Sequence, residues 1–317
     1  MPQSAHTPTA SRPQAPRPSG YRVFAAAGNR FALLDATAHV FSDPADLARR
    51  LCGPQAPQAP RLGQAPEQAG AALDGALFVL PPTDGGACRM LLHNADGSRA
   101  EACGNGLRCV ALFARRAGLV QGPRVLVETD CGMRTVELLG EGLHGAPGSV
   151  PAPVASSPAA PSFALARASM GAARVLEREV ELAHKTGSVR ATLVDVGNPH
   201  CVVAVPDVDA VAVELIGADL EVHSRFPAGT NVEFVARAGP ALRIRIWERG
   251  VGETGACGTG ACAAALALTD SDGQAPFAVD VISPGGKLIV ERDEQRELWL
   301  TGPCEALEWV EYPEALE

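Results

Sequence analysis

Two short segments of this chain place a cysteine at the head of a glycine-rich turn: Cys103-Gly104-Asn105-Gly106 and Cys257-Gly258-Thr259-Gly260. Apolar residues follow each, predicting helices over 106–117 and 260–268. Glycine lets a ligand approach the backbone closely. The first free N–H groups of a helix, with the positive end of its dipole, suit an anion such as a carboxylate. The same field is expected to lower the thiol pKa from about 8.5 toward neutrality. Each segment therefore offers an activatable thiol beside a carboxylate cradle.

Two such segments facing one another could invert a stereocentre. One thiolate takes an α-proton from one face and the opposite thiol returns a proton to the other, which a single base does poorly. Charge builds on the neighbouring carboxylate as the proton leaves, so the two helix ends would stabilise the transition state more than the ground state. A lone Cys-Gly-x-Gly, in a chain with 33 glycines and nine cysteines, would be read as a turn. The pairing is what argues otherwise. Cys109 and Cys262 read as packing residues, as do Cys52, Cys88, Cys131, Cys201 and Cys304.

The elements around the thiols repeat. Val127-Glu128-Thr129 with Gly132 and Val136 answers Val281-Ile282-Ser283 with Gly286 and Val290, at the same 154-residue offset that separates the cysteines. Gly28-Asn29-Arg30-Phe31 answers Gly197-Asn198-Pro199-His200 at an offset of 169, the excess matching a Pro-rich insertion at 53–70. A second such stretch runs from 145 to 162. Three matches in one order read as a duplicated α+β unit. Strand signals fall on Gly75–Leu80, Arg89–His93, Arg124–Thr129, Arg190–Val196, Cys201–Val205, Asn231–Ala236 and Leu242–Trp247.

Bulk properties narrow the alternatives. The 317 residues are 46% apolar and 20% charged with a net charge of −9, which favours a soluble chain of two domains over a nucleic-acid or membrane binder. Residues 1–20 are rich in Pro, Ser, Gln and Ala without an apolar stretch, and are expected to be a disordered cytoplasmic tail rather than a secretion signal. No CxxC pair or acidic cluster points to a metal. Of the two lysines, Lys185 and Lys287, neither adjoins a phosphate cradle, so a pyridoxal Schiff base is not expected. The site is read as working without a cofactor.

The sequence resembles the diaminopimelate epimerase family from about Tyr21 to Pro303. The motifs are Asn94-Ala95-Asp96-Gly97-Ser98 leading to Glu101-Ala102-Cys103-Gly104-Asn105-Gly106-Leu107-Arg108-Cys109, then Gly197-Asn198-Pro199-His200-Cys201-Val202, Asn231-Val232-Glu233-Phe234, and Trp247-Glu248-Arg249-Gly250-Val251-Gly252-Glu253-Thr254 running to Ala256-Cys257-Gly258-Thr259-Gly260. The resemblance implies conversion of LL- to meso-diaminopimelate in lysine and cell-wall precursor synthesis, with Cys103 and Cys257 as acid and base. Gly104, Asn105, Gly258 and Thr259 would hold the reacting carboxylate. Asn29, Asn94, Asn198, Asn231, Glu248 and Arg249 would hold the rest of the substrate, Arg249 pairing the distal carboxylate. His200 and Glu248 would tune the thiols. Glu101, Arg108 and Glu253 read as structural pairs.

The implied fold is α+β, with two pseudo-symmetric domains, each a curved, mostly antiparallel sheet or barrel around a central helix. The expected boundaries are 21–176 and 177–302, with 303–317 returning to the first domain. The resemblance also implies a homodimer, for which the family carries a C-terminal aromatic where this chain has Glu308 and Trp309. Arg30 stands where the family has an acid. A racemase for another amino acid, or a thiol redox protein without turnover, stays open at this point.

Overall fold

The protein's structure, a computed structural model, describes residues 20–54, 72–100, 103–143, 162–269 and 275–311. Residues 1–19 of the expected tail, nearly all of both Pro-rich stretches, and Glu101 lie outside these.

The chain opens with a hairpin of strands β1 (Gly20–Ala26) and β2 (Asn29–Asp35), followed by helix α1 (Pro44–Cys52). Ala27 and Gly28 form the two-residue hairpin turn with φ of 45° and 87°, the left-handed pair that matches strand twist. Next come β3 (Gly75–Leu80), β4 (Cys88–Asn94), helix α2 (Gly104–Arg116), β5 (Arg124–Thr129), β6 (Gly132–Leu143) and β7 (Ser162–Gly171). The order then recurs. β8 (Arg174–His184) leads to β9 (Gly187–Asp195), β10 (Pro199–Ala204), α3 (Val213–Glu221), β11 (Asn231–Ala238), β12 (Ala241–Glu248), the short β13 (Gly252–Thr254), α4 (Gly258–Thr269), β14 (Phe277–Ser283), β15 (Gly286–Arg292) and β16 (Leu298–Glu311).

Two barrels result. β1 through β7 pair in sequence, and β16 closes the ring by pairing with both β7 and β1. The second barrel runs from β16 through β15, β14, β12, β11, β10 and β9 to β8, the continuation of β7. Most pairings are antiparallel. Parallel ones occur at β2–β3, β4–β5, β10–β11 and β12–β14, where the chain crosses over. This is the expected pseudo-symmetric α+β architecture.

Each barrel is filled by a helix. In α2 every residue from Gly104 to Leu112 is buried, and in α4 every residue from Gly258 to Leu266. An α4 made almost wholly of Gly, Ala and other small side chains is narrow enough to be surrounded on all sides, and a helix apolar all round belongs inside. The inward faces of β7 (Ala164, Ala166, Ala168) are likewise small and fully buried. Helices α1 and α3 instead cover the outer faces, each over its own apolar cluster. No helix among the described residues is long and apolar enough to cross a membrane.

Candidate active site

The helices begin earlier than the sequence suggests, because Gly104 and Gly258 are their first residues and the cysteines stand just before them. Cys103 is the N-cap of α2, with φ −148° and ψ 99°, and its Sγ accepts the Gly106 N–H at 3.2 Å. Cys257 repeats the arrangement: its carbonyl accepts from Ala261 N at 2.9 Å, as that of Cys103 does from Leu107 N, and its sulfur meets Gly260 N–H. Thiol sulfur thus does the work usually given to Ser or Asp oxygen at a helix start.

The two starts touch. A methyl group added at Gly258 would lie 3.6 Å from Gly104 Cα, and both glycines rest on Leu300 of β16. A Cβ at either position would press on Leu300, at 2.7 Å from Gly104 and 2.8 Å from Gly258, so glycine lets both helix starts sit against β16. Two thiols, each at the positive end of a buried helix, therefore flank one small region.

The asparagine loops frame it. Asn29 Oδ1 accepts from Asn105 Nδ2 at 2.7 Å, and in the equivalent place Asn198 Nδ2 donates to Thr259 Oγ1 at 3.5 Å. Thr259 Oγ1 lies 3.3 Å from Cys257 Sγ. His200, almost fully enclosed, contacts Asn198 Oδ1 through Nε2 (2.9 Å) and Glu233 Oε1 through Nδ1 (2.7 Å). Glu248 hydrogen-bonds the Cys257 thiol and accepts from Thr254 Oγ1, and its charge is also felt at Cys103.

Other expected site residues are hydrogen-bonded to the protein itself. Both polar atoms of Asn231 hold backbone, donating to Pro199 O and accepting from Arg249 N, each at 3.0 Å. Asn94 donates to Ser98 Oγ and the Arg249 guanidinium to Ala228 O. Arg30, standing where an acid was expected, leaves the hairpin turn intact. Its N–H donates to Asp74 Oδ2 at 2.6 Å and its guanidinium meets Glu308 at 3.2 Å.

The thiol pKa values run against the sequence expectation. Burial pushes Cys103 up to about 11, outweighing the Gly106 N–H, with the Glu248 carboxylate adding to the rise and Arg108 opposing it. Cys257 is pushed well above the usual thiol range by burial first and then by Glu248. Desolvation by burial penalises the charged sulfur more than the helix end rewards it. Burial likewise raises Glu248.

Arg108, read from the sequence as part of a structural pair, is fully buried and donates to Asn105 Oδ1 (2.6 Å), Gly104 O and Pro303 O. Two residues escaped the sequence reading. Asp74 receives the Asn29 amide. Glu233 interrupts the apolar run of β11, and an acid enclosed there must have a partner. That interruption was the available signal. Among the described residues no group of three or more His, Cys, Asp or Glu could hold a metal ion.

The family model described as diaminopimelate epimerase matches residues 26–149 and 192–307, spanning both cysteine-led helix starts. The chain belongs to the diaminopimelate epimerase family. A diaminopimelate epimerase of Desulforudis audaxviator is 37% identical over 303 residues, covering 89% of this chain and 96% of that protein. One from Alkalilimnicola ehrlichii is 43% identical over 223 residues, covering 68% and 75%. The fold extends to more distant proteins. A Bacillus anthracis phenazine biosynthesis protein superposes with a TM-score of 0.60 at 14% identity, covering 93% of this chain and 98% of that one. A hydroxyproline epimerase of Agrobacterium vitis gives 0.55 at 17%, covering 92% and 88%.

Proposed function

We propose that this isomerase converts LL-diaminopimelate to the meso form, with Cys103 and Cys257 exchanging the α-proton across one stereocentre. The observation that carries the reading is the contact between two thiol-capped helix starts at Gly104 and Gly258. In the forward step one sulfur, as thiolate, forms an S–H bond as the α C–H bond breaks. The electron pair passes into the substrate carboxylate, held by the free N–H groups around Gly104, Asn105, Gly258 and Thr259. The opposite thiol then delivers its proton to the other face and is left as thiolate.

The high thiol pKa suits this task. A thiolate whose conjugate acid sits near 11 is a stronger base than one near 8.5, and so better matched to a weakly acidic α-carbon. Glu248 and His200 set the surroundings of the two sulfurs. Asn29, Asn94, Asn198, Asn231 and Arg249 hold the remainder of the substrate, with Arg249 turning from Ala228 O to the distal carboxylate. A second copy of the chain is the expected partner, meeting at the half-exposed Trp309 on β16, and the cytoplasm is its expected compartment.

The test is turnover of LL-diaminopimelate in D₂O with reductant present. C103A and C257A should each lose epimerisation by at least 10²–10⁴-fold, roughly the contribution of a general acid or base. Substantial turnover by either variant, or faster turnover of a single-ended amino acid by the parent enzyme, overturns the reading.

A further inference from the structure

Asn29 and Asn198 occupy equivalent places in the repeat, but their hydrogen bonds run in opposite directions. In the first half Arg108 Nη2 donates to Asn105 Oδ1 (2.6 Å), and Asn105 Nδ2 donates to Asn29 Oδ1 (2.7 Å). Asn29 then donates to Asp74. A guanidinium can only donate and the carboxylate accepts, so both ends of this chain are fixed. It bypasses Cys103.

In the second half Asn198 Nδ2 donates to Thr259 Oγ1, which leaves the hydroxyl's own proton for Cys257 Sγ at 3.3 Å. Asn198 Oδ1 faces His200 Nε2 at 2.9 Å, so Nε2 must carry a proton. On its other side His200 Nδ1 lies 2.7 Å from Glu233 Oε1, with both side chains fully enclosed. A neutral imidazole has one N–H for these two oxygens. The pair must therefore hold two protons, one on Nε2 and one shared between Nδ1 and the carboxyl group.

Glu233 is placed for this and for nothing else the site uses. It does not touch the sulfur, its second oxygen has no partner among the described residues, and a methyl group at Gly260 would lie 2.7 Å from Oε1. Gly260 thus admits the carboxyl group beneath the first turn of α4. The opposite chain direction, with Nε2 bare and the thiol donating to Thr259, would stabilise Cys257 as the acid instead of as the base.

We infer that Glu233 is a positioning residue that holds the His200 Nε2 proton and so directs the Asn198–Thr259 hydrogen-bond chain toward the Cys257 sulfur. The inference rests on Cys257 being one of the two acid–base groups, but its test uses thiol reactivity without substrate, so the two stand or fall separately.

The test is the alkylation rate of each cysteine by iodoacetamide, followed by peptide mass spectrometry at one alkaline pH, in the parent chain, E233M, T259V and the double variant. E233M should slow Cys257 roughly tenfold, the worth of one hydrogen bond to a charged sulfur. Cys103 should stay within about twofold, and E233M should add little in the T259V background. The Glu233 charge on its own raises the Cys257 pKa, so removing that field alone would speed alkylation. A loosened fold would speed it as well. Faster or unchanged Cys257, or equal slowing with and without Thr259, overturns the inference. Should E233M fail to fold, ¹⁵N-histidine NMR of the native enzyme decides, with the His200 signals assigned by their loss in H200Q. A protonated Nε2 supports the inference and a bare Nε2 overturns it.

Discussion

The two halves share a backbone plan but place their buried charge differently. Phe31 and Leu77 of the first half stand where the second has His200 and Glu233, as the strand registers Phe31–Gly75 and His200–Asn231 show. Conversely, Arg108 of α2 stands where α4 has Cys262. Cys103 thus feels the Glu248 carboxylate and, opposing it, a cation inside its own helix, whereas Cys257 feels a pair of carboxyl groups in the sheet. A duplicated unit has kept its thiol, its glycines and its asparagine loop, while each half came to rely on a different means of anchoring that loop. The first anchor is static, from guanidinium to carboxylate. The second ends on the Cys257 thiol.

Removing the cation should break the comparison most severely. R108L leaves Asn105 Oδ1 and two carbonyls without their donor in a dry core, costing about 2–4 kcal/mol. C262A, at the equivalent place, should cost about 1 kcal/mol. Urea unfolding measures both, and equal losses would mean that Arg108 is only filling space.

The loop turns give a smaller, paired effect. Gly28 and Gly197 have nearly the same φ, +87° and +89°. A Cβ at Gly28, however, would lie 2.8 Å from Gly285 Cα, whereas at Gly197 it meets nothing within 4 Å. Both alanine variants should lose about 1 kcal/mol from backbone strain. G28A should lose a further 1 kcal/mol or more (roughly, from the clash) and also lower turnover, since the backbone around Gly285 must shift. Thermal melts and steady-state rates separate the two.

The mildest test sharpens the contrast between the sulfurs themselves. Cys103 is half-buried with a cation nearby; Cys257 is 8% exposed with carboxyl groups nearby. Both pKa values are raised, so the thiolate fraction is small at neutral pH and grows as pH climbs toward and past 9. Iodoacetamide should modify Cys103 first, its rate still rising as pH approaches about 11. Cys257 should follow at higher pH. A reversed order, or plateaus for both near pH 7, would contradict burial as the dominant influence.

Much of this was legible in the chain because glycine and cysteine are informative where they recur at a fixed offset. The barrel helices, the thiols, the asparagine loops and strands such as β3 and β5 fall where their residues point. α1 carries its own start signal, Asp43 capping Asp46 N–H before Pro44. α3 has no side-chain cap and its boundary is silent in the sequence. β8 is mostly exposed, with Leu182 its one buried residue, so it lacks the alternation that marks a strand. The thiol pKa was misjudged for a reason no local motif reveals. A helix start is visible in sequence, whereas the burial that raises both thiols is a property of the folded whole.

The strand that closes the first barrel, β16, is the last one described along the chain. β1 at Gly20–Ala26 is one edge of that ring, and it gains its second neighbour only when Glu305 to Glu311 arrive to pair with it. The first repeat is therefore not a self-sufficient folding unit. On the ribosome the first half must wait, with an open seam beside β1, until residues 305–311 have emerged. The contacts that complete it are among the most distant in sequence, the kind that make folding slow and leave edges exposed to other chains. A single ancestral repeat would have met the same need by trading strands with a second copy of itself.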